Sequence, residues 1–100
     1  MQIAIPLFNG VTALDAVGPY EVLQRLPEAE VRFVGHRPGN VRTDNGFLGL
    51  RIDRAFEEVT SPDVVLVPGG IGTRELVHDQ TVLDWIRNVH ETSKFTTSVC

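Results

Sequence analysis

One hundred residues with a formal net charge of −4 make at most one domain, and 42% apolar against 22% charged residues is a globular balance rather than a disordered or membrane one. The nine Lys and Arg are scattered without a basic stripe, which argues against nucleic acid as a partner. A single cysteine, Cys100, excludes an internal disulfide and a Cys-rich metal site, and leaves a buried filler, a reactive thiol or an unpaired side chain.

Gln2 to Phe8 reads as a buried strand ended by the turn pair Asn9-Gly10. Met1 to Pro6 has neither the basic region nor the long apolar core of a secretion signal, so a cytoplasmic location is expected. Val11, Leu14, Val17, Val22, Leu23 and Leu26 recur at helical spacing and predict a helix from near Asp15 to Leu26. In that helix Pro19 falls in the first turn, where its missing N–H costs nothing, and Pro27 closes the segment.

Val31 to Gly35 predicts a second strand. Val41–Thr43 and Phe47–Leu50 flank Asp44-Asn45-Gly46, a sequence suited to the positive φ angles of a hairpin. A short helix is expected over Arg54–Val59, since Ala55, Phe56 and Val59 share a face. Asp63 to Pro68 is the strongest strand. Its core, Val64–Val67, is the longest uninterrupted apolar run, far short of a membrane span and characteristic of a parallel strand covered on both faces. Gly69 to Gly72 follows, then a helical segment. Asp79 is placed as the N-cap of a further helix whose apolar face is Val82, Leu83, Ile86 and Val89, ending near Glu91. Phe95 to Val99 is β-branched and strand-like, and Trp85 and Phe95 are expected in the core. The alternation predicts a parallel sheet with right-handed crossovers and helices on both faces. Such sheets bind ligands at the carboxyl ends of their strands. The Asn9–Asp15 turn, the Gly69-Gly70 turn and Cys100 all lie at that end.

Cys100 follows a strand directly. A strand that turns there into a helix aims backbone N–H groups at sulfur and activates it, whereas a lone Cys elsewhere is a small buried hydrophobe; both readings stand. Asp15 is either a helix-terminal charge or a carboxyl held beside a thiolate. In the second case it keeps its proton, because two negative charges at contact are costly. The glycines of Pro68-Gly69-Gly70-Ile71-Gly72 permit close backbone approach and an oxyanion-type site, or merely connect strand to helix. They lack the Walker A spacing and the GxGxxG pattern. His36, His78 and His90 have no metal-like spacing and read as structural or solvated, with His36, after a strand, able to reach a pocket.

Three segments carry a resemblance. Phe8 to Leu23, with Leu14-Asp15-Ala16-Val17-Gly18-Pro19, resembles the leucine–aspartate–x–x–glycine–proline segment of the ThiJ/PfpI superfamily. Asp63 to Gly70 resembles its proline–glycine–glycine strand end, and Thr97-Ser98-Val99-Cys100 the strand leading into its nucleophile elbow. The likeness runs in register along the whole chain. Asp at position 15, where many relatives have Glu, is similar to the isonitrile hydratase branch.

The resemblance implies a flavodoxin-like, doubly wound fold, a homodimer, a small-molecule substrate, and no metal or organic cofactor. It also implies a reaction. The Cys100 thiolate would attack the terminal isonitrile carbon, Asp15 would position the attack and supply a proton, and water would cleave the thioimidate to an N-substituted formamide. The N–H groups of Gly69 and Gly70 would line the site. Members of the family are considerably longer, so residues 1–100 are expected to be the N-terminal portion of one such domain, ending at the nucleophile elbow. A larger protein divided at Cys100, or a chemically altered Cys100, would account for the length. Two other outcomes follow the same resemblance: a ligand-sensing domain of a transcription regulator, or another activity such as a glyoxalase-like or stress-response one. Asp15 leans toward the hydratase, and the residues after Cys100 would discriminate the sensor.

Overall fold

Ile3-Ala4-Ile5 is apolar on both sides of the chain, and it forms the middle of the sheet. A computed structural model describes residues 1–100. The elements are β1 (Gln2–Pro6), α1 (Ala13–Leu23), β2 (Glu30–Gly35), β3 (Gly39–Arg42), β4 (Gly49–Ile52), β5 (Arg54–Ala55), a 3-10 turn (Phe56–Glu58), β6 (Val64–Val67), α2 (Thr73–Leu76), α3 (Gln80–His90) and β7 (Phe95–Ser98). Five strands pair in the order β5-β2-β1-β6-β7, every pairing parallel, while β3 and β4 form a separate antiparallel hairpin.

Side chains alternate across a strand, and the alternation builds two cores. Ile3, Ile5 and Leu66 face one side, where they pack with Ala16 of α1 and with Val41 and Ile52 of the hairpin. Ala4, Val34 and Val65 face the other side and meet Val82, Trp85 and Val89 of α3. Each large apolar side chain so buried contributes about 1.5–3 kcal/mol. Trp85 also stacks on Phe56 with ring centroids 4.9 Å apart, and its Nε1–H donates to the Val59 carbonyl at 2.8 Å. The indole therefore enters the core without an unpaired donor. No helix is long and apolar enough to cross a membrane.

Some expectations shift. α1 begins at Ala13, so Pro19 lies inside the helix rather than in its first turn. Only one face of α1 is covered, and Leu14 and Val22 stay 75% and 69% exposed. The hairpin strands sit farther from the tip than expected, because Thr43 is drawn into a parallel bridge with Val11 and its N–H closes the loop onto Leu48 O at 2.9 Å. Of Arg54–Val59, only Phe56–Glu58 is helical, as a 3-10 helix. The first two residues of the segment join the sheet edge beside β2, and the Glu58 carboxylate holds the Ala55 N–H at 2.9 Å to form the 3-10 turn. Within residues 1–100, Phe95, expected in the core, is 65% exposed, and the other three residues of β7 are exposed as well.

From β1 the chain runs outward to β2, while β6 and β7 lie on the opposite side, so the strand order reverses between β1 and β6. The turns leaving these two strands occupy the crevice that such a reversal creates. They lock together through backbone. Thr12 N–H donates to Gly69 O at 3.0 Å and Gly72 N–H to Gly10 O at 3.1 Å. At Gly70, with φ +129°, an added Cβ would overlap Gly10 O and stand 2.6 Å from Thr12 N. Gly70→Ala is therefore expected to lower the unfolding free energy by at least about 2 kcal/mol, combining a left-handed backbone penalty with a steric one. Urea denaturation measures it; a loss below about 0.5 kcal/mol would mean that the turns yield.

Candidate active site

The interlocked turns set the start of α1, and α1 sets Asp15. Asp15 lies in the first turn of α1, half-buried, with its N–H donating to Thr12 O at 3.1 Å. Its Oδ2 accepts the Gly69 N–H at 3.2 Å, across to the turn after β6. Cys100 arrives from the other direction. β7 pairs with β6, Val99 N–H extends the ladder to Val67 O at 3.0 Å, and Cys100 follows with its side chain exposed.

The two side chains meet at Gly69. A Cβ built on that buried glycine would lie 3.0 Å from Asp15 Oδ2, 3.0 Å from Val99 O and 3.1 Å from the Cβ of Cys100. The carboxyl and the cysteine thus border the same small volume, left open because residue 69 has no side chain. Cys100 has φ +61°, a region that a non-glycine residue seldom occupies and that is concentrated at functional turns. Of the two turn N–H groups proposed to line the site, Gly69's is engaged by Asp15, while Gly70's has no hydrogen-bond partner within the chain. A cysteine, a carboxyl and one unpaired N–H donor therefore border one region at the carboxyl end of the sheet.

Thr12 and Asp44 escaped the sequence reading. Thr12 occupies the cap position of α1, yet its hydroxyl caps no helix N–H. It donates instead to Asp44 Oδ2 at 3.1 Å, forgoing a cap ordinarily worth about 1 kcal/mol. A Thr just before a helix is a recognisable signal, but its partner lies on the hairpin and no local pattern announces it.

A doubly wound sheet with a cysteine at a strand end and a carboxyl at the switch point defines a class of α/β proteins. Residues 1–100 match the DJ-1/PfpI family, and the chain belongs to that family. It is 39% identical over 100 residues to the isonitrile hydratase of Pseudomonas putida, an alignment covering all of this chain and 43% of that enzyme. A ThiJ/PfpI family protein from Pseudomonas syringae superposes with a TM-score of 0.93 at 30% identity, over 99% of this chain and 41% of that one. Drosophila melanogaster DJ-1beta shares the fold, with a TM-score of 0.83 at 21% identity over 99% of this chain and 54% of its own. The chain spans less than half the length of the curated relative it matches.

A second feature lies on the far side of the turns. An open cleft of about 830 Å³ runs between the hairpin and α2 and α3, floored by Leu7, Phe8 and Ile52, and includes neither Asp15 nor Cys100. His36 lines it, as its place after a strand allowed, and His36 Nε2 pairs with Asp79 Oδ2 at 2.7 Å. Asp79 caps α3 as expected, its Oδ1 accepting the Val82 N–H at 3.3 Å. His78 also borders the cleft, whereas His90 bonds Thr96 through Nδ1 at 2.8 Å. Burial pushes the Asp79 carboxyl up, but the His36 hydrogen bond, the Val82 N–H, the His36 charge and the Thr81 N–H together outweigh it and hold it below the usual 3.8. A carboxyl depressed by folding stabilises the fold above its unfolded value, and that stability is lost as pH falls below 3.8 through the folded value. Asp79→Asn, which can still cap the helix, should show a shallower loss of melting temperature than wild type between about pH 4 and about pH 2. Parallel curves over that range would remove Asp79 from the acid response.

Proposed function

We propose that this protein hydrates an isonitrile to an N-substituted formamide with Cys100 as nucleophile and Asp15 as proton donor. The observation that carries the reading is the convergence of the Asp15 carboxyl and Cys100 on Gly69, in a chain 39% identical to an isonitrile hydratase. The thiolate attacks the terminal carbon and forms a C–S bond, and Asp15 protonates that carbon to give a thioimidate. Water then adds to the same carbon. One of its protons goes to nitrogen and the other restores Asp15, and cleavage of the C–S bond releases the formamide and the thiolate. The unpaired Gly70 N–H offers a donor to charge that develops on the substrate. The reaction takes place in the whole protein, of which residues 1–100 form the N-terminal portion of one domain, and we place it in the cytoplasm.

We further propose a homodimer. The reading rests on the family, and the exposed Leu14 and Val22 on the outer face of α1 offer apolar surface for it. Sedimentation of the full-length protein at micromolar concentration should give a dimer; monomer alone would contradict it.

Asp15→Asn keeps the shape and a hydrogen-bond donor but cannot deliver a proton. It should remain folded and lose about a hundredfold or more in kcat for isonitrile hydration. Cys100→Ser should abolish turnover with an unchanged melting temperature. If Asp15 merely completes the helix terminus, Asn serves nearly as well and the rate is retained. Rates and thermal melts of wild type and both variants decide, and a wild type that hydrates no isonitrile would favour the ligand-sensing reading.

A further inference from the structure

We infer that Asp44, at the hairpin tip, is a positioning residue for Asp15, acting through Thr12; the inference rests on the role proposed for Asp15. The hairpin runs alongside residues 9–12 and is stitched to them. Arg42 N–H donates to Asn9 Oδ1 at 3.0 Å, and Gly10 N–H donates to Arg42 O at 2.8 Å. Thr43, buried, bridges Val11, which is fully buried. Asp44 then grips two successive residues, its own N–H donating to Val11 O at 2.9 Å and its Oδ2 accepting the Thr12 hydroxyl at 3.1 Å. The other carboxylate oxygen accepts the Asn45 N–H at 2.9 Å, which fixes the carboxylate plane. Thr12 in turn accepts the Asp15 N–H through its carbonyl and donates its own N–H to Gly69 O at 3.0 Å.

Asp44 therefore sits two bonded steps from the catalytic carboxyl without touching the reacting atoms. Thr12 would ordinarily turn its hydroxyl onto its own helix. Here it turns outward to the hairpin, so the first turn of α1 is oriented by a residue 32 positions away rather than by itself. That arrangement suits a turn whose side chain must be aimed at a fixed point, since a small misplacement of a reacting group is costly in rate. Charge and geometry are separable. A carboxylate near a helix N-terminus is also favourable electrostatically, whereas an amide at position 44 keeps the acceptor and loses the charge.

The test uses the full-length protein with tert-butyl isonitrile as probe, and compares Asp44→Ala, Thr12→Val and Asp44→Asn. Asp44→Ala and Thr12→Val should each lower kcat roughly tenfold with KM within about twofold, and Asp44→Asn should stay within about threefold of wild type. The Gly69 amide, which donates to Asp15, reports the position of the carboxyl independently of turnover. Its hydrogen exchange should quicken at least about tenfold in Asp44→Ala and Thr12→Val, and remain near wild type in Asp44→Asn. A lowered melting temperature with unchanged Gly69 exchange would make Asp44 a structural residue and overturn the inference. So would unchanged exchange and unchanged kcat. Should Asp44→Ala not fold, Thr12→Val, which removes only the hydroxyl, decides alone. A wild type inactive on the probe, with Gly69 exchange still quickened in the variants, would overturn the proposed reaction and leave the positioning role standing.

Discussion

Two turns that touch through bare backbone hold the carboxyl end of this sheet together. The turn after β1 and the turn after β6 approach so closely that Gly10, Gly70 and Gly72 each have main-chain atoms of the opposite turn where a Cβ would be. The two hydrogen bonds that cross between them contribute only about 1 kcal/mol each. Their importance lies in specificity. Once backbone meets backbone with no side chain between, neither turn can shift without breaking a bond or creating an overlap. The ends of two central strands and the start of α1 are then located relative to one another, and Asp15 inherits its position from that.

The sheet makes the lock possible by fixing the strands from which the turns emerge. β1 is apolar at consecutive positions, so it is covered on one face by α1 and the hairpin and on the other by α3. A central strand of this kind cannot slip by one residue without exchanging its two faces. The hairpin does two things at once. Val41 and Ile52 cover the sheet, and Arg42 through Asp44 run along residues 9–12. Packing and positioning share one element, so a loop that looks like an insertion on the surface belongs to the architecture of the site.

Much of the fold was legible because its signals are local. The apolar run Val64–Val67 reads as a doubly covered strand without reference to any other residue. Asp79 followed by Val82, Leu83, Ile86 and Val89 reads as a capped amphipathic helix. What misled depends on partners distant in sequence. The hairpin register follows from the pairing of Thr43 with Val11, and β5 exists because β2 offers an edge. Pro19 lies deeper in its helix than the apolar spacing suggests, because α1 starts earlier. At the site, Asp15 and Cys100 were visible as residue types in suggestive places, each with an ordinary structural explanation. Their convergence was not, since Asp15 and Gly69 are 54 positions apart and only the fold joins them.

Gly69 makes that convergence possible, and it acts through what it lacks. Its N–H holds the Asp15 carboxyl, and the space where its side chain would be is bordered by that carboxyl, by Val99 O and by the Cβ of Cys100. A Cβ there would press on all three, each of which would have to give by a few tenths of an ångström. One residue thus supplies both the hydrogen bond to the Asp15 carboxyl and the open volume that the carboxyl and Cys100 border. The neighbouring glycine supplies something different, a positive φ that lets the backbone turn into the lock and leaves its N–H unpaired. Consecutive glycines after a strand are a weak signal, because many connections have them. Here the first is required by the side chains gathered around it and the second by the backbone pressed against it. The φ of +61° at Cys100 lies outside the extended region in which β7 runs, so the cysteine's own backbone leaves the strand conformation beside the carboxyl.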